Sequence, residues 1–423
     1  MRLAMYMLAG NLHSRSPVEG PLWREGHFAG LVGLGLSLLA APLASGQCLY
    51  EATIIQGPMC TDGSPAPFFP ATLDEQGNAA GASSCFIAEH ATVWTGPGMA
   101  QLLPDSGESR ALGILDPDHV VGRVQPDPSR SLWIATYWLN GQETFLPLLP
   151  GADTSQAGGI NSSLQIVGES NNSVFGPLQA FRWQSGQIEA LQVPLGPRSN
   201  ANDINQAGQV TGWMGTGLFI DARAYIWENG NVTDLGIIPG GISAEGNAIN
   251  NLSHVVGCGV VPDGVTIGQR HACYWDGQTM IDLGTLPDHK RSVAKDINDL
   301  DEIVGSSSFV GSNINTSHAV YWRDGVMYDL NDLVVTDLGG IVLVRALAIN
   351  NAGQILAVAN AIGVLLTPID SAPGDIDNNC MVNVSDLLLL ISEWGKAGSF
   401  ADINEDGNVN VTDLLALLGS WGE

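Results

Sequence analysis

The chain has 423 residues, of which 45% are hydrophobic and 14% charged, and its formal net charge is -27. This length accommodates two or three domains, and the apolar fraction supplies a core, which excludes global disorder. The negative charge repels phosphate backbones and anionic lipid, so it argues against nucleic acid or a membrane surface as a partner. The 52 glycines and the scarcity of charged residues favour a mainly β fold with many turns.

The N-terminus carries an apolar stretch from Phe28 to Leu43, preceded by Arg24 and followed by Ala44-Ser45-Gly46. This pattern predicts a secretory signal peptide over residues 1–46, with a single membrane anchor as the alternative. No later segment is long enough to cross a bilayer. The mature protein is therefore expected to be secreted or at the cell surface, without a membrane span.

One pattern recurs through most of the chain: an apolar residue, usually Ile followed by Asn, with Gly eight positions later, as in INSSLQIVG and INDLDEIVG. The seven copies are spaced by roughly 45 residues, the size of a four-stranded propeller blade. They begin at Leu73, Ile114, Ile160, Ile204, Ile249, Ile297 and Ile349, and the last copy has Ala357 in place of the glycine.

A second landmark, Ala-x-x-Trp, follows each of the first six copies, and short alternating strands complete each period. Four short strands per period, separated by Gly, Asn and Asp turns, predict a seven-bladed β-propeller over residues 48–369. The last copy lacks a strand, and the segment Tyr50 to Ile55 has no partner at the start of the chain. We expect this segment to complete the last blade and close the ring.

The repeat Ile-Asn-x-x-Gly-Gln-x-x-Gly followed by His-Ala-x-x-Trp resembles the HAF family of extracellular repeats, which implies a scaffold more than a chemistry. Within the repeat, the tryptophans are interpreted as core between blades, although aromatic platforms for sugars are an alternative. The histidines His90, His271 and His318 are interpreted as hydrogen-bonding residues at strand ends rather than as metal ligands.

After a linker at residues 370–374, two segments repeat at a spacing of 27, beginning at Asp375 and at Asp402. Each opens with a twelve-residue loop that places oxygen-bearing side chains at alternating positions, the pattern that suits Ca²⁺. Ser385 and Thr412 then precede leucine-rich helices, which they are predicted to cap. The predicted ligands are Asp375, Asp377, Asn379, Met381 through its carbonyl, Asn383 and Asp386 in the first loop, and Asp402, Asn404, Asp406, Asn408 through its carbonyl, Asn410 and Asp413 in the second.

Duplicated calcium loops, each followed by one helix, resemble a type I dockerin over residues 375–423, which implies two Ca²⁺ sites and a cohesin-like partner. Cys380 stands where the first loop would have glycine, so the first site is expected to be weaker. The unbroken leucines after each loop differ from the polar faces by which clostridial dockerins grip cohesin.

Export also permits disulfides, and the six cysteines include Cys258 and Cys273 on neighbouring strands of one hairpin, which we expect to form a bridge. No catalytic motif is present, and no catalytic residue is predicted. The function expected is a non-enzymatic binding or scaffold protein that presents a glycan-binding face. The alternative is a glycoside hydrolase or polysaccharide lyase, whose two carboxylates would converge from distant blades without a linear signature.

Overall fold

The computed structural model describes residues 49–423 except 86–87, 128, 172–176, 217–220, 264–267, 310–316, 360–361, 370–373, 377–381, 397–398, 400, 405 and 422–423. The predicted signal peptide and the thiols of Cys48 and Cys380 lie outside the described residues. None of the helices within the described residues is both long and apolar enough to cross a membrane.

The strands form seven antiparallel sheets, each one blade of a ring, so the predicted seven-bladed propeller is confirmed. Blades 1 to 3 each consist of four consecutive strands. Blade 1 contains β2 (Phe68–Leu73), β3 (Ala79–Ser84), β4 (Glu89–Trp94) and β5 (Gln101–Leu102), after the N-terminal β1 (Tyr50–Ile55). Blade 2 contains β6 (Glu108–Asp116), β7 (His119–Gln125), β8 (Ile134–Leu139) and β9 (Gln142–Phe145). Blade 3 contains β10 (Thr154–Ile160), β11 (Ile166–Asn171), β12 (Gln179–Gln184) and β13 (Gln187–Ala190).

Blades 4 to 6 repeat the arrangement, except that the inner strand of blade 4 is split in two. Blade 4 contains β14 (Arg198–Ser199), β15 (Asp203–Ile204), β16 (Val210–Gly215), β17 (Arg223–Glu228) and β18 (Asn231–Asp234). Blade 5 contains β19 (Ser243–Ile249), β20 (Val255–Val261), β21 (Gln269–Trp275) and β22 (Met280–Asp282). Blade 6 contains β23 (Arg291–Ile297), β24 (Ile303–Ser308), β25 (Ser317–Arg323) and β26 (Val326–Asp329), followed by the short helix α1 (Leu330–Leu333).

Blade 7 joins the two ends of the propeller, as predicted from the unpaired first strand. It contains β27 (Arg345–Ile349), β28 (Ile355–Ala359) and β29 (Ile362–Pro368). The N-terminal β1 pairs antiparallel with β29, from Tyr50 opposite Pro368 to Ile55 opposite Gly363. Tyr50 is 1% exposed and packs edge-on against Tyr321 of blade 6. The first strand therefore closes the ring and also contributes to the core.

The glycine of the repeat is explained by the inner strand of each blade, which bulges where it faces that glycine. A Cβ atom at Gly168 would lie 2.0 Å from the carbonyl oxygen of Gln156, and one at Gly257 would lie 1.9 Å from that of Glu245. These separations are far below any real contact, so glycine is required at these two positions, whereas the bulged inner strand of blade 7 faces Ala357 instead. The outer hairpins use residue pairs with positive φ at both positions, such as Asn140 with Gly141.

The C-terminal residues form a separate small core from two helices, α2 (Val384–Ser392) and α3 (Val411–Gly419). Val382, Leu390, Ala401, Val409 and Leu417 are all fully buried there. The helices begin one residue before Ser385 and Thr412, and their caps are instead Asn383 and Asn410. An Asn at the cap and an Asp three residues into the helix complete a capping box in each repeat.

Candidate functional site

The centre of the ring holds a cavity of about 280 Å³ that is lined by the inner strands of all seven blades. Six of these strands contain the bulge described above, and the split strand of blade 4 places Asn202 at the equivalent position. At this level each blade therefore contributes one partly or fully exposed residue to the cavity wall: Ala71, Leu112, Gly158, Asn202, Asn247, Lys295 and Leu347.

The cavity wall has two chemically different sides. At the bulged level, blades 7, 1, 2 and 3 present Leu347, Ala71, Leu112 and Gly158, which carry no polar side-chain atom, although Thr72, Glu75 and Asn351 of blades 1 and 7 also line the cavity. Blades 4, 5 and 6 present Asn202, Asn247 and Lys295, together with Asp203 and Asp296. This asymmetry comes from the bulged positions and, in blades 4 and 6, from the Asp that follows them.

Asp203 and Asp296 occupy equivalent positions in blades 4 and 6, in the repeated sequence Asp-Ile-Asn. Each carboxylate accepts one backbone N–H from its own Ile and one from the Ile of the next blade: Asp203 from Ile249 at 2.9 Å and Asp296 from Ile349 at 2.9 Å. Burial, reinforced by the charge of Asp203, raises the pKa of Asp296 to about 7. Burial also raises the pKa of Asp203. The two carboxylates thus link neighbouring blades, and they are close enough across the cavity to interact electrostatically.

The Asn of each Ile-Asn pair does more than shape a turn, which was its predicted role. Asn205 accepts the backbone N–H groups of Ala207 and Gln209, as expected of a turn, but its Nδ2 also donates 3.0 Å to the carbonyl of Asn250 in the next blade. The same bond between blades is made by Asn161, Asn205, Asn250, Asn298 and Asn350, the last to Asp74 of blade 1. These five side chains are buried and link blades 3 to 7 and blade 1 through one polar ring.

A second ring runs in the same direction around the mouth of the cavity. The residue after each ring Asn accepts a backbone N–H from the equivalent residue of the preceding blade, as Asn251 does from Gln206 at 3.0 Å. The acceptors are Gln206, Asn251, Asp299, Asn351 and Glu75. Asp299 and Glu75 therefore bridge neighbouring blades through their carboxylates.

The tryptophans of Ala-x-x-Trp lie between blades, as predicted: Trp138 and Trp322 are each 1% exposed. The alanine of the motif is fully buried in each of the first six blades, and the N–H of Ala91 donates to Ser109 of the next inner strand at 2.7 Å. The repeat histidines hydrogen-bond as predicted, each to an Asp of its own blade or the loop after it. These pairs are His90 with Asp105, His271 with Asp282, and His318 with Asp329.

The predicted Cys258 to Cys273 disulfide is wrong, since both cysteines are free and buried. Cys258 lies opposite Ala272, and Cys273 lies opposite Gly257. Directly opposed residues share a face of the sheet and successive residues alternate, so the two sulfurs point to opposite faces of the blade. The disulfide that forms joins Cys60 to Cys85, with a Cα separation of 5.4 Å. This pairing crosses from the loop before blade 1 to the end of β3, which no local pattern indicates.

In the tail, the second calcium loop gathers most of its predicted ligands. The Asn404, Asp406 and Asn410 side chains contact one another, with 3.2 Å from Asn410 Nδ2 to Asp406 Oδ2. Hydrogen bonds from Asn410 and the Asn408 backbone lower the pKa of Asp406, which keeps it anionic. Gly407 adopts a φ of +98° at loop position six. Together with Asp402, this is a hard-oxygen donor set that fits Ca²⁺.

The last predicted ligand of each loop holds the loop closed. Asp413 is fully buried and accepts the N–H groups of Asn404 at 3.1 Å and Asn410 at 2.8 Å. Asp386 does the same for Ile376 and Asn383 in the first loop. Asp375 is described, whereas Asp377, Asn379 and Met381 lie outside the described residues. No cluster of three or more His, Cys, Asp or Glu side chains suited to a metal occurs among the residues that the structure describes, because the second loop mixes carboxylates with amides.

Both tail helices carry an outward apolar stripe in addition to the face that packs in the small core. Leu388 is 62% exposed and its repeat equivalent Leu415 is 63% exposed. The first stripe is Val384, Leu388, Ile391 and Trp394, and the second is Val411, Leu415, Leu418 and Trp421. The two stripes match residue by residue at the repeat spacing, and large exposed apolar patches of this kind mark interaction surfaces.

The comparisons agree with this arrangement of the tail. Residues 373–418 match the Dockerin type I domain family, so the chain is a propeller protein that carries a dockerin type I domain. Type I dockerin domains bind calcium and dockerin domains bind cohesins. Proteins that contain them are typically extracellular or at the cell surface. No curated protein matches the chain.

Among solved structures, the chain is similar to several propellers at low identity. Streptogramin B lyase is 12% identical with a TM-score of 0.45, covering 77% of this chain and 100% of that one. The β-propeller domain of the Trilobed protease from Pyrococcus furiosus is 10% identical with a TM-score of 0.44, covering 67% and 99%. TolB from Acinetobacter baumannii is 10% identical with a TM-score of 0.41, covering 70% of this chain, which spans 65% of the TolB chain. Likenesses this weak carry no functional argument.

Proposed function

We propose that this protein is an exported, non-enzymatic binding protein. Its propeller binds a glycan, and its tail docks the protein to a cohesin-like partner. The observation that carries the docking role is the pair of matched apolar stripes on α2 and α3, within a segment that matches the dockerin type I family. These eight large apolar side chains do not pack in the core of the tail. A partner that covers them removes their apolar surface from water, which favours binding.

The proposed organisation is a signal peptide at residues 1–46, an HAF-like propeller at 48–369, a linker at 370–374 and a dockerin-like domain at 375–423. The pattern of the N-terminus and the dockerin match both support export to the cell surface or beyond. The repeat of Ile-Asn, Gly and Ala-x-x-Trp supports the HAF assignment.

The proposed tail holds two Ca²⁺ ions through the twelve loop residues named above. When bound, the ion supplies positive charge that neutralises the loop carboxylates and fixes the loop ahead of each helix. The second loop supports this most directly, because its side-chain oxygens are gathered and Gly407 takes the positive φ that the turn needs.

The partner is proposed to meet the tail through an apolar surface. Neither stripe contains a charged residue, so the proposed contact is mainly apolar rather than mainly hydrogen-bonded. Because the stripes are equivalent by the internal repeat, each offers the partner the same four-residue pattern.

The docking proposal is tested by calorimetry of the intact chain against a panel of purified cohesin domains, with Ca²⁺ and with chelator. At least one cohesin is expected to bind, and only with Ca²⁺. The double variant Leu388→Asp with Leu415→Asp should lose binding, and each single variant should retain it through the other stripe. Leu252→Asp, at a propeller residue that is 54% exposed, is the matched control and should bind normally. Equal binding by the double variant would overturn the docking surface.

A hydrolase or lyase remains the second candidate, favoured by one observation: Asp203 and Asp296 reach the same cavity from blades 4 and 6. Against it, both carboxylates are already engaged by backbone N–H groups of two blades. Release of reducing ends from polysaccharides by the wild type, abolished in Asp296→Asn, would favour the enzyme over the binding protein.

A further inference from the structure

The central cavity combines three features that a ligand site requires and a simple structural channel does not. It has a volume of about 280 Å³, it is lined by all seven inner strands, and its two sides differ in chemistry. If the cavity were only the hole left by ring closure, the seven bulged positions would have no reason to separate into an apolar half and a polar half.

The polar half offers acceptors and one cationic donor to the cavity. Asp203 and Asp296 each have both oxygens bound to backbone N–H, but every carboxylate oxygen keeps a second acceptor site. Asn247 uses its Nδ2 on the carbonyl of Ala294 at 2.7 Å, which orients its amide. Lys295 is exposed and supplies the donor. Asp203, Asp296 and Asn247 are held by bonds to neighbouring blades, so they are positioned before any ligand arrives.

The apolar half of the bulged positions lies across blades 7, 1, 2 and 3, where Leu347, Ala71 and Leu112 are the aliphatic side chains of an otherwise polar wall. A ligand that fits both halves must carry several hydroxyl groups on one side and C–H surface on the other. A pyranose ring has this composition, since its hydroxyls donate to carboxylates and amides while its ring carbons pack on aliphatic side chains.

We infer that the central cavity binds one neutral sugar residue, with its hydroxyls toward Asp203, Asn247, Lys295 and Asp296 and its C–H face on Leu347, Ala71 and Leu112. This inference rests on the glycan-binding role proposed above and gives that role a location. The wall sets one lysine against the acidic side chains of Asp203 and Asp296, whose burial already disfavours negative charge, and Asp299 lies at the mouth, so a uronic acid is disfavoured.

The experiment is titration calorimetry of the intact protein with the methyl glycosides of glucose, galactose, mannose and xylose, with galacturonate as the charged comparator. Ala71→Phe should fill the apolar half and weaken binding by about tenfold or more. Lys295→Met should weaken it by about tenfold through loss of a charged hydrogen bond. Lys290→Met is the matched control, because Lys290 is an exposed lysine of the same blade that does not line the cavity.

Thermal unfolding of each variant shows whether the ring is intact, and Lys295→Met decides the question if Ala71→Phe does not fold. Wild-type binding of a neutral glycoside that survives both substitutions would overturn the cavity site and leave the glycan role in place. No binding of any neutral glycoside by the wild type would overturn both. Tighter binding of galacturonate than of the neutral sugars would overturn the assigned ligand class.

Discussion

The propeller and the tail solve the problem of stability in opposite ways. In the propeller, a buried Asn bonds each of blades 3 to 7 to the next blade, and buried tryptophans and alanines pack between blades. In the tail, the small core fully buries five apolar side chains, whereas eight others face outward on the two stripes. The loop carboxylates there bond to their own backbone rather than to another element.

This difference shows which interactions stabilise the folded state of each region. A ring of repeats stabilises itself once it is closed, because every face finds a copy of the same partner. A module of about 49 residues cannot bury enough apolar surface alone and depends on a bound ion or a partner. The propeller should therefore be sensitive to breaks between blades, and the tail to calcium and to its partner.

The largest effect is expected from deletion of residues 49–55. This removes the strand that pairs with β29 and leaves the face of Tyr321 that Tyr50 covers open to water. The ring should lose its cooperative thermal transition, and Tyr50→Ala alone should cost about 3 to 5 kcal/mol. Deletion of residues 1–48 is the control and should leave the transition unchanged. A sharp, unshifted transition without β1 would show that closure is not what stabilises the ring.

Calcium removal should loosen the tail and spare the propeller. Amide hydrogen exchange of the intact chain is expected to accelerate by orders of magnitude in α2 and α3 with chelator, while β20 stays protected. Asp402→Ala should mimic chelation in α3 more strongly than Asp375→Ala does in α2, because the first loop has Cys380 at position six. Full protection of both helices in chelator would contradict the proposed calcium sites.

The propeller contains one disulfide, between Cys60 and Cys85, and two buried free thiols, Cys258 and Cys273. Replacing both Cys60 and Cys85 with Ser should lower the free energy of unfolding by about 2 to 4 kcal/mol, because the bridge closes a loop in the unfolded chain. Alkylation of the denatured, unreduced protein should label Cys258 and Cys273 and leave Cys60 and Cys85 unlabelled. Mass spectrometry of the digested protein identifies the labelled cysteines. A peptide pair linked through Cys258 and Cys273 would contradict the prediction.

The polar ring between blades is tested by two neighbouring asparagines. Asn250→Ala removes a buried donor to Asn298 and leaves the N–H groups of Leu252 and His254 without their acceptor. We expect a loss of about 2 to 3 kcal/mol in urea unfolding. Asn251→Ala affects only the exposed ring and should cost less than about 1 kcal/mol. Equal losses would mean that the buried ring contributes nothing beyond the turn.

A pH-dependent effect concerns Asp296. Its pKa is raised by burial to about 7 in the folded chain, above the usual value near 4 of an unfolded Asp. Between these values the folded chain binds more protons than the unfolded chain, so this group makes stability fall as pH rises from about 4 to about 7. Asp296→Asn should remove that component, so the wild type should lose more stability than the variant between pH 5 and pH 8. Parallel pH profiles in urea unfolding would contradict the raised pKa.

The periodicities of this sequence are strong enough to predict the seven blades, the closing strand and the C-terminal loops. Each depends on local chemistry repeated at a fixed spacing: Gly where a bulged strand approaches, Trp where blades pack, and Asp or Asn at alternating loop positions. The outer hairpins such as Asn140 with Gly141 follow the same logic, because positive φ at both turn residues favours that pair.

Other features depend on which strands become neighbours in the ring. The bond from Asn350 to Asp74 joins residues 276 positions apart, and the cavity wall collects one bulged residue from every blade. The same limit explains the failed Cys258 to Cys273 pairing, since the two positions are close in the hairpin but the register places their sulfurs on opposite faces. Local sequence sets the conformation of each blade, whereas the register of strands and the closure of the ring decide which side chains meet, because those distances are fixed only once all seven blades have packed.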